Sequence, residues 1–107
     1  MLQHLDNTNF DATIKENDVV LVDFFADWCG PCKALHPSLE KLALGVNKNT
    51  VIAKVNVDKN PELSQRFGIR SIPSIYYFQK GELKMKHVGL QSEADMLSIL
   101  NELSIKE

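Results

Sequence analysis

Residues 19–25, with the sequence VVLVDFF, restrict the possible folds of this chain more than any other stretch. The segment is β-branched and aromatic almost throughout, and it is too short for a typical helix. It therefore predicts a central strand whose two faces are both covered by other elements. Asp23 is its one charged residue, and both cysteines of the chain, Cys29 and Cys32, follow it closely.

Helical and strand patterns alternate around this segment. Apolar residues spaced three and four apart indicate helices, strict alternation indicates strands, and Gly or Pro marks the ends. A capping box from Thr8 to Asp11 is expected to open the first helix, and a hairpin is expected around residues 80–82. The predicted elements are a weak edge strand at 2–5, helices from about 8 to 16, at 31–44 and at 61–67, strands at 19–25, 51–57, 74–79 and 83–88, and a final helix from about 92 to 103. This order predicts an α/β fold in which a mixed sheet carries helices on both faces.

Length and composition indicate a single domain covering residues 1–107. The composition, 44% hydrophobic and 24% charged, is that of a soluble globular protein, and no run approaches the ~18 apolar residues of a membrane span. The first six residues lack a basic region followed by an apolar one, so no signal peptide is expected and a cytoplasmic location is favoured. A net charge of −2 without a basic face argues against nucleic acid as a partner. We expect a monomer.

The two cysteines are separated only by Gly30 and Pro31. A disulfide across so short a loop would stabilise the fold by only about 2 kcal/mol, so a purely structural bond is a poor explanation. A structural zinc site needs four ligands, and the histidines show no recognisable ligand spacing, so no metal is expected. The histidines are His4, His36 and His87. The better interpretation is a redox pair that forms and breaks its bond during turnover.

The expected position of each sulfur indicates its role. Cys29 lies at the start of a helix, where unpaired backbone N–H groups and the positive end of the helix dipole stabilise a thiolate. Cys29 is therefore predicted to be the exposed nucleophile, and Cys32, one turn deeper, is predicted to resolve the mixed disulfide. Gly30 and Pro31 add no ionisable side chain, so the thiolate should be only moderately stabilised, which favours a reductant.

Asp23 and Lys54 are single charges within apolar strands. Burial of Asp23 beneath the cysteines would raise its pKa and let it exchange a proton with Cys32. Lys54 would lessen the cost of that burial by pairing with Asp23. The residues alone leave simpler interpretations open: a strand-end carboxylate that reaches water, and a lysine on a solvated face. His36 similarly either tunes the thiols or lies on the helix surface.

Several motifs, in sequence order, make the chain similar to the thioredoxin family. They are Val22-Asp23-Phe24, the segment WCGPCK at 28–33, Pro37, Lys54, the segment GIRSIP at 68–73, and Gly89. The resemblance runs over nearly the whole chain. It implies the thioredoxin fold, with a central five-stranded mixed β-sheet flanked by four α-helices. It also implies a cis bond before Pro73, although bonds before proline are usually trans.

The resemblance further implies a protein-disulfide reductase that works by dithiol-disulfide exchange. It supports Asp23 as the proton-transfer residue and Lys54 as its partner. It also implies an apolar groove for substrate proteins, in which the backbone at Ile72 pairs with an extended segment of the substrate. The groove residues are Trp28, Gly30, Pro31, Ile72, Pro73 and Gly89.

Electron donors and acceptors are implied as well. The disulfide would be re-reduced by a flavin-containing thioredoxin reductase with electrons from NADPH, so the chain itself would need no cofactor. Expected targets are ribonucleotide reductase, peroxiredoxin and methionine sulfoxide reductase. The chain departs from the family pattern at Phe25, where many members have a second tryptophan, and at His36, where a small or apolar residue is usual.

Two other functions stay open from the sequence. A thiol oxidase or isomerase would use the same chemistry, although a histidine before the second cysteine would suit it better than Pro31. A non-catalytic binding subunit would use the apolar groove and leave both thiols as bystanders.

Overall fold

The computed structural model of the protein describes residues 1–105, which contain five strands and four helices. In chain order these are β1 (Gln3–Leu5), α1 (Phe10–Glu16), β2 (Val19–Phe25), α2 (Gly30–Gly45), β3 (Thr50–Asn56), α3 (Pro61–Arg66), β4 (Ser74–Gln79), β5 (Glu82–Val88) and α4 (Glu93–Ile105). The strands form one sheet in the order β1-β3-β2-β4-β5. Strands β1, β3 and β2 run parallel, β4 is antiparallel to β2, and β5 is antiparallel to β4. The predicted five-stranded mixed sheet with four helices is confirmed.

Strand β2 lies at the centre of the sheet, and its alternate side chains enter two separate apolar layers. Val20 and Phe24 pack on the face covered by α1 and α3, whereas Val19 and Leu21 pack on the face covered by α2 and α4. Each of these four residues is 1% exposed or less. The two-sided burial predicted from the apolar run is therefore confirmed. None of the helices within residues 1–105 is long and apolar enough to cross a lipid bilayer.

The start of α1 differs from the expected capping box. Asn9 occupies the N-cap position, and its side chain makes no capping hydrogen bond. The Asp6 carboxylate instead accepts hydrogen bonds from the backbone N–H groups of Thr8 and Asn9 and from the Thr8 hydroxyl. Asp6 forms a turn with the residues that follow it, and this turn takes up the donors that a capping box would have used. The prediction of a capping box from Thr8 to Asp11 was wrong.

A two-residue turn joins β4 to β5. Lys80 and Gly81 both have positive φ angles, 49° and 86°, which is the backbone of a type I′ hairpin turn. Strand β5 consequently begins at Glu82, one residue before the predicted start. A Cβ atom at position 81 would lie 3.3 Å from the Cγ atom of Lys15, so both the backbone angle and the available space favour glycine there.

Phe10 tests whether α1 anchors the core. Its ring is fully buried, and its centroid lies 5.4 Å from that of Phe67 and 5.8 Å from that of Phe78. We expect Phe10→Ala to lower the free energy of unfolding by about 3–5 kcal/mol, because it removes buried apolar surface and leaves a cavity. The control Leu44→Ala, at a helical side chain that is 85% exposed, should change it by about 0.5 kcal/mol or less. Urea unfolding measures both variants, and equal effects would contradict a core role for Phe10.

Candidate active site

The two cysteines form a disulfide just beyond β2, at the start of α2. Cys29 is the N-cap of α2, with an extended backbone, and its N–H donates to the carbonyl oxygen of Ala26 at 3.2 Å. Pro31 lies in the first turn, where a helix does not use the missing N–H group. The Cα atoms of Cys29 and Cys32 are 5.3 Å apart, within the usual range for a bonded pair. The local geometry of the helix start therefore brings the sulfurs together.

The sulfur of Cys29 faces a backbone donor at the positive end of α2. The N–H group of Cys32 donates to Cys29 Sγ at 3.2 Å. When the pair is reduced, a thiolate at Cys29 gains from this hydrogen bond and from the helix dipole. Cys32 lies further along the helix, and its sulfur has no such donor among the hydrogen bonds of the described residues. The arrangement favours the charged form at Cys29.

Both cysteines are more buried than the sequence suggested. Cys29 is 4% exposed and Cys32 is 1% exposed. The carbonyl oxygen of Ile72 lies 3.8 Å from Cys29 Sγ, and the side chains of Phe25 and Val57 pack against the pair. The prediction of an exposed Cys29 was therefore wrong in degree, because the segment containing Ile72 covers the disulfide. Cys29 is still the more accessible of the two.

Asp23 lies within β2 and is completely buried. Neither of its carboxylate oxygens has a hydrogen-bond partner within residues 1–105. Burial raises the pKa of Asp23 to about 7, and the positive charge of Lys54 offsets part of that rise. This burial excludes the simpler interpretation of a strand-end carboxylate that reaches water. A carboxyl group in this state can hold or release a proton near neutral pH.

Lys54 is paired in register with Asp23 on the neighbouring strand β3 and is only 6% exposed. Its ammonium group nevertheless makes no hydrogen bond to Asp23. The Nζ atom lies 3.1 Å from Nδ1 of His36 and 4.1 Å from the centroid of the Phe25 ring. Burial lowers the pKa of Lys54, while the negative charges of Asp23, and to a lesser degree Asp27, raise it. Lys54 is thus neither on a solvated face nor in hydrogen-bond contact with its predicted partner.

A pocket of about 230 Å³ opens beside Cys32. Its wall includes the side chains of Lys54 and His36, so the ammonium group and the imidazole face the same space as the buried cysteine. A water molecule occupies about 30 Å³ in the liquid, so the pocket can admit several. Protons can therefore reach this side of the disulfide through water.

Three residues of the predicted groove lie at the start of α2. Trp28, Gly30 and Pro31 are exposed, and Trp28 is the most prominent of them at 71% exposed. The indole N–H of Trp28 donates to the carboxylate of Asp58 at 2.9 Å, which holds the ring in position. Sequence reasoning missed Asp58. A signal was available, since Asp58 follows β3 at the same carboxyl edge of the sheet at which Cys29 follows β2.

The other three groove residues lie just before β4 and just after β5, and Ile72 contacts the disulfide. The bond between Ile72 and Pro73 is cis, as the resemblance implied. The carbonyl of Ile72 contacts Cys29, and the carbonyl of Pro73 accepts a hydrogen bond from the N–H of Gly89 at 2.8 Å. Gly89 has a φ of 97°, a conformation that favours glycine. A continuous set of contacts therefore links Gly89, Pro73 and Ile72 to Cys29.

His36 is half-buried and contacts a charged side chain on each of its ring nitrogens. Nδ1 faces Lys54, and Nε2 lies 3.3 Å from the carboxylate of Glu40 one turn later in α2. The contact with Lys54 was missed because α2 and β3 are separate elements, and no spacing within either predicts which side chains meet. Within residues 1–105, no group of three or more His, Cys, Asp or Glu residues is arranged to bind a metal ion.

Comparison with known proteins places the whole chain in one family. The family model described as Thioredoxin matches residues 1–102. The thioredoxin of Rickettsia felis is 38% identical over 102 residues, which is 94% of this chain and 97% of that protein. The thioredoxin of Rickettsia prowazekii is 37% identical over the same shares of each chain.

A solved structure agrees with these relatives. A mutant thioredoxin from Halobacterium salinarum NRC-1 superposes with a TM-score of 0.91 at 36% identity, covering 99% of this chain and 93% of that one. No finding favours a thiol oxidase, an isomerase or a binding subunit. The chain therefore belongs to the thioredoxin family and is a dithiol-disulfide oxidoreductase that reduces disulfides in target proteins.

Proposed function

We propose that Cys29 attacks the target disulfide and that Cys32 completes the exchange. The Cys29 thiolate bonds to one sulfur of the target and displaces the other as a thiolate. The Cys32 thiolate then attacks Cys29 Sγ, which forms the intramolecular disulfide and displaces the second target sulfur as a thiolate, so two electrons are transferred in all. The observation that carries this assignment is the N–H group of Cys32 on Cys29 Sγ, together with the greater accessibility of Cys29.

Asp23 accepts the proton of the Cys32 thiol as that sulfur attacks. Its pKa of about 7 makes it ionised in a useful fraction of molecules at neutral pH, and it lacks a hydrogen-bond partner that would hold the carboxylate elsewhere. Lys54 supports the ionised form by its charge without touching it. The pocket beside Cys32, which Lys54 also lines, is large enough to admit water to the Cys32 side of the site.

Target proteins lie across the surface formed by Trp28, Gly30, Pro31, Ile72, Pro73 and Gly89. The exposed indole offers a large apolar face, and the backbone around the half-buried Ile72 is available to pair with an extended segment that carries the target disulfide. This arrangement brings the target sulfur to the more accessible of the two cysteines.

The protein exchanges electrons with other proteins and holds no cofactor of its own. A thioredoxin reductase supplies the electrons, using its own flavin and NADPH. The targets include ribonucleotide reductase, peroxiredoxin and methionine sulfoxide reductase. The chain works as a monomer and forms a single domain over residues 1–107. It acts in the cytoplasm and binds neither nucleic acid nor membrane. Family membership supports the reductase and the disulfide-containing targets.

The cysteine roles can be tested by trapping. In an assay with thioredoxin reductase, NADPH and insulin, Cys29→Ser and Cys32→Ser should each reduce NADPH consumption to the rate without added protein. Cys32→Ser should accumulate a mixed disulfide with insulin on a non-reducing gel, and Cys29→Ser should not. Thermal unfolding of both variants controls for folding. If Cys29→Ser accumulates the mixed disulfide instead, the two cysteines have the opposite roles. If both variants still consume NADPH at the wild-type rate, neither cysteine has the proposed role.

The proton-transfer role predicts a specific pH dependence. After 5,5′-dithiobis(2-nitrobenzoate) has modified Cys29, release of the second thionitrobenzoate reports attack by Cys32 alone. Asp23→Asn should slow this step by about 10- to 100-fold at pH 8, because the base is lost. The difference should shrink below pH 6, where Asp23 is protonated in the wild type. The control Asp18→Asn, at an exposed carboxylate just before the start of β2, should keep the wild-type profile. An unchanged profile for Asp23→Asn would rule out the relay.

Burial of Asp23 also predicts how stability depends on pH. The folded protein keeps the Asp23 proton up to about pH 7, whereas the unfolded chain releases it near 3.8. The folded state therefore binds more protons between these values, and stability falls as pH rises through them. Asp23→Asn escapes this loss, so at pH 8 it should be more stable than wild type by about 4 kcal/mol, with little difference at pH 4. Urea unfolding at both pH values measures this, and a gap independent of pH would contradict it.

A further inference from the structure

Lys54 places its ammonium group against the imidazole of His36, although Asp23 is its register partner in the sheet. The Nζ atom is 3.1 Å from His36 Nδ1, while neither oxygen of Asp23 has a hydrogen-bond partner within residues 1–105. His36 lies one turn beyond Cys32 in α2, and its side chain is 38% exposed. An ionised carboxylate would ordinarily be a stronger partner for an ammonium group than a neutral ring nitrogen. The observed pairing therefore needs an explanation.

The two contacts of His36 require one state of its ring. An ammonium group can only donate hydrogen bonds, so Nδ1 must accept from Lys54 and cannot carry a proton. The ring proton then lies on Nε2, which faces the carboxylate of Glu40 at 3.3 Å. In this neutral tautomer the Nε2–H group faces the negative charge of Glu40, which favours a proton on Nε2.

We propose that His36 is a positioning residue that anchors the Lys54 ammonium through Nδ1 and so keeps it out of ion-pair contact with Asp23. The lysine stem is flexible, and Lys54 and Asp23 occupy paired positions on adjacent strands. Loss of the anchor frees the ammonium group to turn towards the buried carboxylate. The catalytic consequence rests on the proposed role of Asp23: a carboxylate held in an ion pair binds protons less tightly and is a weaker base for Cys32.

The other charged groups around Lys54 do not substitute for His36. Asp27 and Glu40 add negative charge from the loop after β2 and from α2, but both are exposed. Burial and then the charge of Lys54 lower the pKa of His4 on β1, which reduces the positive charge that its ring can add near Lys54. Asp23 is the one carboxylate among these neighbours that is fully buried. It is therefore the group whose titration responds most to where the ammonium lies.

The ring of Phe25 makes the anchored position favourable for a charge. Lys54 Nζ lies 4.1 Å from the centroid of this ring, within the range of a cation–π interaction. The ammonium group therefore has an aromatic face and a ring nitrogen as partners in the pocket beside Cys32. Of these two partners, only His36 fixes the direction of the ammonium group, because only Nδ1 accepts a hydrogen bond.

A titration of Asp23 in the oxidised protein tests the anchor directly. The pKa of its carboxyl group is followed by ¹³C NMR in wild type, His36→Ala and His36→Asn. We expect His36→Ala to lower this pKa by about one unit, since an ammonium group comes close to the carboxylate. His36→Asn should stay near wild type, because the asparagine carbonyl can accept from Lys54 where Nδ1 did. The control His87→Ala, at a ring on β5 whose Nε2 lies 2.9 Å from the Leu90 carbonyl oxygen, should leave the titration unchanged.

The same shift is then measured in a Lys54→Met background. There His36→Ala should no longer lower the pKa of Asp23, since no ammonium group is left to move. An unchanged Asp23 titration in His36→Ala would overturn the proposal. So would an equal shift in the Lys54→Met background, or a shift of the same size in His36→Asn.

Failure of the anchor can be distinguished from failure of the Asp23 relay. The NMR titration needs no turnover, so it reports on the anchor alone. If the relay also operates, the pH midpoint of the Cys32 step in His36→Ala should move down with the pKa of Asp23. If the pKa of Asp23 shifts in His36→Ala but the pH midpoint of the Cys32 step does not, the anchor is supported and the proton-transfer role of Asp23 is contradicted.

Discussion

The structure depends on the burial of β2 between two layers of helices. The strand is hydrogen-bonded on both edges, to β3 and β4, and apolar side chains cover both of its faces. Because its residues alternate between the faces, Asp23 follows Val19 and Leu21 onto the α2 side without access to water. The same strand ends at Phe25, so the chain leaves the sheet directly into the turn that presents Cys29. One strand thus places both Asp23 and the turn that contains Cys29.

Two different physical effects prepare the site for its chemistry. A thiolate at Cys29 is favoured by the N–H group of Cys32 and by the dipole of α2, both of which come from the backbone. Protonation of Asp23 is favoured by the loss of hydration, which comes from packing. The backbone effect stabilises the thiolate form of Cys29. The loss of hydration gives Asp23 a carboxyl group that changes its protonation state near neutral pH. The second effect also destabilises the folded state at pH values where Asp23 would be ionised in the unfolded chain.

The two positions at which the chain departs from the family pattern meet at one atom. Phe25 and His36 both contact the ammonium group of Lys54, one through its ring face and the other through Nδ1. They come from β2 and α2, whereas Lys54 comes from β3. Phe25 and His36 therefore both act on the charge of Lys54, which is the register partner of Asp23.

Local patterns in the sequence were sufficient for the secondary-structure elements and the reactive pair, whereas the thioredoxin fold was implied by the resemblance. The apolar run at 19–25, the helical spacing after Pro31 and the cysteine spacing each depend on neighbours a few residues away, and the structure confirms the elements they predict. The errors at short range, in the start of α1 and in the first residue of β5, arose where alternative turn geometries compete for the same residues. A periodicity of two or 3.6 residues cannot decide between such turns.

The tertiary structure alone decided which side chains meet. The segment around Ile72 covers Cys29, and the indole of Trp28 donates to Asp58. The ammonium group of Lys54 contacts His36, although Lys54 is the register partner of Asp23 in the sheet. These partners are brought together from separate elements, and their contacts depend on the distance and direction between helix and strand. No spacing along the chain contains that information, because it arises only when the layers pack.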